Sequence, residues 1–227
     1  MTGPLVVGVL GGTFDPIHLG HLEIATWLHG ALRLPRMLLM PTAVPPHKSA
    51  SDLASAYHRA AMVRLAVADH PQLELSNLEL STDRVCFTID SLRTLRDADP
   101  PCKPAFVMGV DALVDLPTWK DYAHLVREFD LIVVDRPDRK LDSVRSLLHP
   151  DVAQRIASYP RLERVAQELA RVDRRGRILP VRRRTIPISS SGIRERVSAG
   201  LPLDDLVPPR VAGYIQCNSL YRQEDER

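Results

Sequence analysis

The hydrophobic positions fall into short continuous runs separated by stretches of helical spacing, and that order predicts the elements. Leu5–Leu10 is an unbroken apolar run rich in valine, as expected of a strand buried on both faces. From Leu22 to Leu34 the pattern becomes helical, with Leu22, Ala25, Leu28 and Leu32 on one face. A second apolar run, Met37–Met40 within Arg36–Pro41, is closed by Pro41. Ala54–His70 reads as a helix with Ala60, Val63, Ala66 and Val67 inward and Arg59 and Arg64 turned to solvent. Leu73–Leu80 is taken as a strand, although its alternation changes phase after Asn77. Phe87–Ala98 is helical, with Ile89, Leu92 and Leu95 at three-residue steps. Ala105–Met108 reads as a short strand leading into Gly109-Val110-Asp111. A helix around Asp121–Glu128, a strand Leu131–Val134, and helices over Leu141–Leu148 and Val152–Val172 follow, the last interrupted by Pro160.

Strands alternating with helices predict an α/β architecture: a doubly wound, Rossmann-like parallel sheet with helices on both faces and a helical C-terminal part. In such sheets ligands bind beyond the carboxyl ends of the strands. Four stretches are expected at such ends: Gly11-Gly12, the loop Pro45-Pro46-His47-Lys48, Gly109-Val110-Asp111 and Asp135-Arg136-Pro137. At 227 residues the chain is expected to form a single domain, 1–227, with an arginine-rich helical elaboration at about 138–184.

Composition narrows the partners. A hydrophobic fraction of 44% supports a sizeable core. A net charge of +2 does not suggest a nucleic-acid binder working by bulk charge. Lysine occurs only at Lys48, Lys103, Lys120 and Lys140, so arginine supplies nearly all the positive charge, which suits bidentate phosphate recognition. The dense run from Arg171 to Arg184 reads first as a solvated surface, with polyphosphate steering or a subunit contact as alternatives. Cys86, Cys102 and Cys217 are widely spaced and form no C-x-x-C, so neither a zinc site nor a disulfide framework is indicated. The apolar run near the start is too short for a signal segment, and no stretch reaches membrane-spanning length. A cytoplasmic protein is expected, with homo-oligomerisation left open.

Chemistry concentrates in Gly11-Gly12-Thr13-Phe14-Asp15-Pro16-Ile17-His18-Leu19-Gly20-His21. A strand, a tight glycine turn and a helix start are expected there. Adjacent glycines let the backbone approach an anion, and the helix start offers unpaired N–H groups and a positive dipole end. His18 and His21 are three apart and share a face if the helix has begun. A zinc helix instead spaces its histidines four apart around a glutamate, so a phosphate clamp is the better reading. A second cluster, Ile188-Ser189-Ser190-Ser191-Gly192-Ile193-Arg194, can cap a helix or offer hydroxyls and amides to phosphate.

The first stretch resembles the GGxFDPxHxGH signature of nicotinate-nucleotide adenylyltransferases, with every specified position filled, and the second resembles that family's ISSTxIR motif with Ser191 in place of threonine. The resemblance reaches from Gly8 to about Arg136 and again from Ile188 to Ile215. It implies adenylyl transfer from ATP to nicotinate mononucleotide, a step of NAD biosynthesis, with Mg²⁺ held mainly by the ATP phosphates and no protein-built metal cage. His18, His21, Lys48 and Arg194 would carry catalysis. Gly11, Gly12, Thr13, Phe14, Gly109, Asp111, Ile188, Ser189, Ser190 and Ser191 would bind ATP. His47, Thr88, Trp119 and Arg136 would bind the mononucleotide, Trp119 by stacking on the pyridine ring. ATP and nicotinate mononucleotide would be the partners, with no nucleic acid and no membrane. Rival readings are a relative acting on phosphopantetheine or on the amidated nucleotide, a regulatory protein that has lost turnover, and an RNA-binding module built on the arginine run.

Overall fold

The computed structural model describes residues 5–44, 53–81, 85–98, 102–135, 140–157, 161–171, 175–183 and 186–222. Six parallel strands form one sheet: β1 (Leu5–Gly12), β2 (Arg36–Pro41), β3 (Leu73–Leu75), β4 (Cys102–Gly109), β5 (Asp130–Val134) and β6 (Ile178–Val181). Their order across the sheet is β3-β2-β1-β4-β5-β6. The chain thus winds outward in one direction from β1 to β3 and returns beside β1 to wind the other way. That leaves a crevice between the carboxyl ends of β1 and β4, where doubly wound sheets bind ligands.

Helices cover both faces. They are α1 (Leu19–Ala31), α2 (Ala56–Val67), α3 (Thr88–Arg96), α4 (Val110–Asp115), α5 (Tyr122–Glu128), α6 (Leu141–Val144), α7 (Pro150–Ala153), α8 (Leu162–Ala170), α9 (Ser190–Ser198) and α10 (Pro209–Cys217). Strand side chains alternate between two cores, as the two-residue period of a strand requires. On one face Leu10, Val107 and Ile132 pack with Leu28 of α1, Met62 of α2, Leu169 of α8, Ile193 of α9 and Val211 of α10. On the other, Val9, Phe106 and Val133 pack with Leu92 of α3, Leu113 of α4, Leu125 of α5, Val144 of α6 and Val152 of α7. No helix among the described residues is long and apolar enough to cross a membrane.

The structure corrects several boundaries. Helix α1 begins at Leu19, three residues before the expected Leu22. Only Leu73–Leu75 of the expected Leu73–Leu80 strand pairs with β2, consistent with the change of phase after Asn77. The expected Leu141–Leu148 helix is one α-turn followed by a 3₁₀ turn at Arg145–Leu147. Val152–Val172 divides into α7 and α8 around a bridge at Ile156.

Strand β6 lies inside the arginine-rich run, where no strand was expected. Its four residues are fully buried, but they include Pro180 and are flanked by arginine. Proline is tolerated because β6 is an edge strand. The same run is not all solvated surface. The Arg177 guanidinium donates to the buried carboxylate of Asp130 at 2.7 Å and to Glu168 at 2.8 Å. Lys103 meets Asp130 at 3.2 Å and donates to the Leu169 and Arg171 carbonyls at 2.9 and 2.6 Å. Burial pushes the Lys103 ammonium below its usual pKa, against the pull of Asp130. This charged knot joins β4, β5 and α8 at the sheet end remote from the crevice.

Candidate active site

The expected glycine turn is a continuation of the strand. Gly11 and Gly12 still pair with Met40 and Pro41 of β2. What their missing side chains admit is aromatic: a Cβ at Gly11 would stand 2.8 Å from the Phe106 ring, and one at Gly12 would stand 3.2 Å from the Phe14 ring. The turn proper is made by the residues that follow. Phe14 adopts left-handed backbone geometry, φ 50°, with its ring buried, and Asp15 is equally buried.

Arg59 holds this turn against its neighbours, and here the sequence expectation fails. The residue is 1% exposed rather than turned to solvent. Its guanidinium donates to the carbonyls of Thr13 at 2.8 Å, Thr42 at 2.7 Å, Ala43 at 2.7 Å and Ala54 at 3.0 Å. Burial pushes its pKa below the usual value, and the Asp15 carboxylate opposes that shift. Backbone carbonyls that would otherwise be buried without donors are thereby satisfied. Nothing local announces this role, because three of the four partners belong to loops set beside α2 only by the fold.

His18 caps α1 and His21 occupies its first turn. The His18 main-chain N–H donates to His21 Nδ1 at 3.3 Å. The two imidazoles stack, centroids 3.6 Å apart, and the Phe14 ring meets His21 edge-on at 5.0 Å. An accepting Nδ1 places the proton of a neutral His21 ring on Nε2, at the opposite edge.

The serine cluster faces this pair. Ser189 caps α9, its hydroxyl accepting the Gly192 N–H at 3.1 Å, and Ser191 donates to the Ser189 hydroxyl at 3.3 Å. Ser190 donates to the Pro16 carbonyl at 2.9 Å, and Arg194 Nη1 donates to the Asp15 carbonyl at 2.8 Å. Two bonds therefore fasten the start of α9 to the turn before α1. Together they bring two helix N-termini to one opening, each with N–H groups suited to an anion.

The opening is a cavity of about 680 Å³. The structure brings His18, His21, Gly109, Ile188, Ser189, Ser190, Ser191 and Arg194 onto its wall. Ile24, Val134 and Ile186, which the sequence did not single out, also line it, as does Asp135 of the stretch expected at the end of β5. Asp135 is buried and accepts the Leu141 N–H at 2.9 Å, which ties the end of β5 to the start of α6.

Other expected site residues stand off this wall. Gly11 and Gly12 close β1, Thr13 and Phe14 belong to the turn after it, and Asp111 lies in the first turn of α4. Thr88 opens α3, on the flank past β4. Trp119 packs edge-on against Phe106 at 6.1 Å. Its neighbour Lys120 bonds Asp90 of α3 at 2.8 Å and sits 4.6 Å over the Phe87 ring, so Trp119 and Thr88 share that flank. His47, Lys48 and Arg136 lie outside the described residues. Among the described residues no group of three or more His, Cys, Asp or Glu side chains could hold a metal ion.

Paired histidines and a capped serine-arginine motif at one crevice define a nucleotide-transferring fold, and residues 9–196 match the cytidylyltransferase-like family. Relatives narrow this further. A protein of Symbiobacterium thermophilum named "Probable nicotinate-nucleotide adenylyltransferase" is 38% identical over 95% of this chain and 94% of its own length. A protein of the same name from Aeromonas hydrophila subsp. hydrophila is 37% identical over 95% and 97%. The chain belongs to the nicotinate-nucleotide adenylyltransferase family. Its fold also matches that of the Plasmodium falciparum nicotinic acid mononucleotide adenylyltransferase complexed with NaAD, at a TM-score of 0.70 and 19% identity over 96% of this chain and 97% of that one.

Proposed function

We propose that this protein transfers the adenylyl group of ATP to nicotinate mononucleotide, giving nicotinate adenine dinucleotide and pyrophosphate. The observation that carries the reading is the facing of His18 and His21 at the start of α1 with Ser189–Ser191 and Arg194 at the start of α9, across one cavity. A phosphate oxygen of the mononucleotide attacks the α-phosphorus of ATP in line. The bond from that phosphorus to the α,β-bridging oxygen breaks, and pyrophosphate leaves with the electron pair. The nucleophile is already an anion, so no general base is needed. Mutual repulsion of the phosphates opposes the reaction, and alignment with positive charge and N–H donors relieves it.

In this reading His21 donates from Nε2 to the α-phosphoryl group and the bridging oxygen as charge grows there, with His18 beside it. Ser189, Ser191 and Arg194, with the amides of α9, hold the β- and γ-phosphates, and Ser190 locks α9 to the turn through Pro16. Lys48 supplies further positive charge. The amides of Gly11, Gly12, Thr13 and Phe14, with Ile188, Gly109 and Asp111, complete the ATP side. Thr88 and Trp119, with His47 and Arg136, receive the mononucleotide: Trp119 stacks on its pyridine ring, and the N-terminal amides of α3 attract its carboxylate. A Mg²⁺ ion would be held mainly by the ATP phosphates and would supply further charge neutralisation there, with no cage of protein carboxylates needed. We read the chain as a single domain acting in the cytoplasm on small molecules, without nucleic acid.

The test is pyrophosphate release with ATP and Mg²⁺, comparing nicotinate mononucleotide, nicotinamide mononucleotide and phosphopantetheine. A large kcat/KM advantage for nicotinate mononucleotide is expected. Equal rates with acid and amide would remove the specificity, and silence with all three would overturn the reading.

A further inference from the structure

Asp15 is the point at which four distant parts of the chain meet. Its carboxylate is buried, and Oδ1 accepts from the Tyr221 hydroxyl at 2.7 Å and from the Ala54 N–H at 3.2 Å. Oδ2 stands 3.6 Å from Arg194 Nη1, and the same Nη1 bonds the Asp15 carbonyl at 2.8 Å. Tyr221 follows α10, is half-buried, and takes left-handed backbone geometry at φ 62°. It does not line the cavity. Burial and the neighbouring carboxylate push its phenol above the usual pKa, in keeping with a hydroxyl that donates to Asp15.

An anionic carboxylate divides its attraction among its donors, and charged hydrogen bonds are stronger and shorter than neutral ones. With Tyr221 and Ala54 occupying Oδ1, Arg194 stays at 3.6 Å from Oδ2, an ion-pair distance longer than a direct charged bond. Without the phenol, Asp15 draws the guanidinium closer and takes it from the opening that Arg194 borders.

We propose that Tyr221 is a positioning residue: its hydroxyl, by sharing Asp15, sets how far Arg194 extends toward the polyphosphate. This rests on the adenylyl-transfer reading for its catalytic consequence but not for its binding consequence. Tyr221→Phe removes the one hydroxyl and retains the ring. Expected are a roughly tenfold fall in kcat/KM for ATP, the size of one hydrogen bond to a charged group, a KM for the mononucleotide within about twofold of the parent, and a Tm lower by only a few degrees, as the loss of one buried hydrogen bond implies. In an Arg194→Lys background the same substitution should cost less than about twofold, because the two residues act as one unit.

Calorimetric binding of tripolyphosphate decides the matter without turnover, and should weaken in Tyr221→Phe by about the same factor as kcat/KM. If the parent protein shows no adenylyl transfer, the functional reading falls while this binding comparison still judges Tyr221. Unchanged tripolyphosphate affinity, additive effects with Arg194→Lys, or equal losses for both substrates alongside a Tm lowered by more than those few degrees would each overturn the proposal.

Discussion

The His18 main-chain N–H donates to Nδ1 of His21 at 3.3 Å, which commits one edge of the His21 ring to the backbone that precedes it. The helix start and the histidine therefore order each other. A ring held this way presents Nε2 without first losing rotameric freedom, and the stacked His18 ring at 3.6 Å blocks its rotation on one side.

Replacing His21 by alanine should lower kcat about 10²–10³-fold, the scale of losing one preorganised donor at a developing charge. The KM for ATP should change far less, because the contact strengthens in the transition state. Steady-state pyrophosphate release checks this. A weakened ATP affinity with kcat intact would assign His21 to ground-state binding instead.

Trp119→Ala should raise the KM for the mononucleotide roughly tenfold, in keeping with about 1–3 kcal/mol for a ring stacked on an aromatic side chain. The KM for ATP should hold. Initial-rate kinetics with each substrate varied in turn separates the two, and a defect confined to ATP would move the pyridine site away from the Trp119 flank.

Arg59→Met should destabilise the fold by about 2–5 kcal/mol, since the carbonyls of Thr13, Thr42, Ala43 and Ala54 lose their donor inside the protein. Urea unfolding followed by circular dichroism measures it. A loss below about 0.5 kcal/mol, ordinary for a surface change, would mean that water reaches those carbonyls.

Glu128, at the end of α5, bonds Arg93 and Arg96 of α3, and these hold its pKa down from 4.5 to about 2. A depressed carboxylate stabilises the fold fully above its unfolded value, and that contribution is lost as pH falls through the folded one. Glu128→Gln should therefore lower Tm by a constant amount above pH 4.5, with the gap closing toward about pH 2. Thermal melts of both proteins across pH test this; a gap that persists at pH 2 would mean the loss is not electrostatic.

The parts of the fold legible in the sequence are those whose cause is local. The valine-rich run of β1, the α1 face of Leu22, Ala25, Leu28 and Leu32, and the cap of α9 each depend on neighbouring residues. Gly11 and Gly12 close β1, but what their missing side chains admit is the rings of Phe106 and Phe14, and those spatial neighbours are not apparent from the motif. Arg59 and Tyr221 were invisible as anchors. Their partners are carbonyls of other loops and a carboxylate 206 residues away, and no periodicity encodes that meeting. Strand β6 was hidden by its proline and its arginine flanks.

That proline also decides how the sheet ends. Ile178 turns its backbone outward from β5, donating to the Arg155 carbonyl at 3.2 Å and accepting the Ala157 N–H at 3.0 Å. The next amide facing the same way belongs to Pro180, which has no hydrogen to give. The outward rung at Ile178 is thus already taken by the chain's own residues 155–157, and a strand from another molecule would find no amide at Pro180 on which to continue. At the opposite margin β3 offers only three residues. Both margins are thus poor templates for adding foreign strands, and the sheet is guarded against the edge-to-edge growth that leads to fibrils.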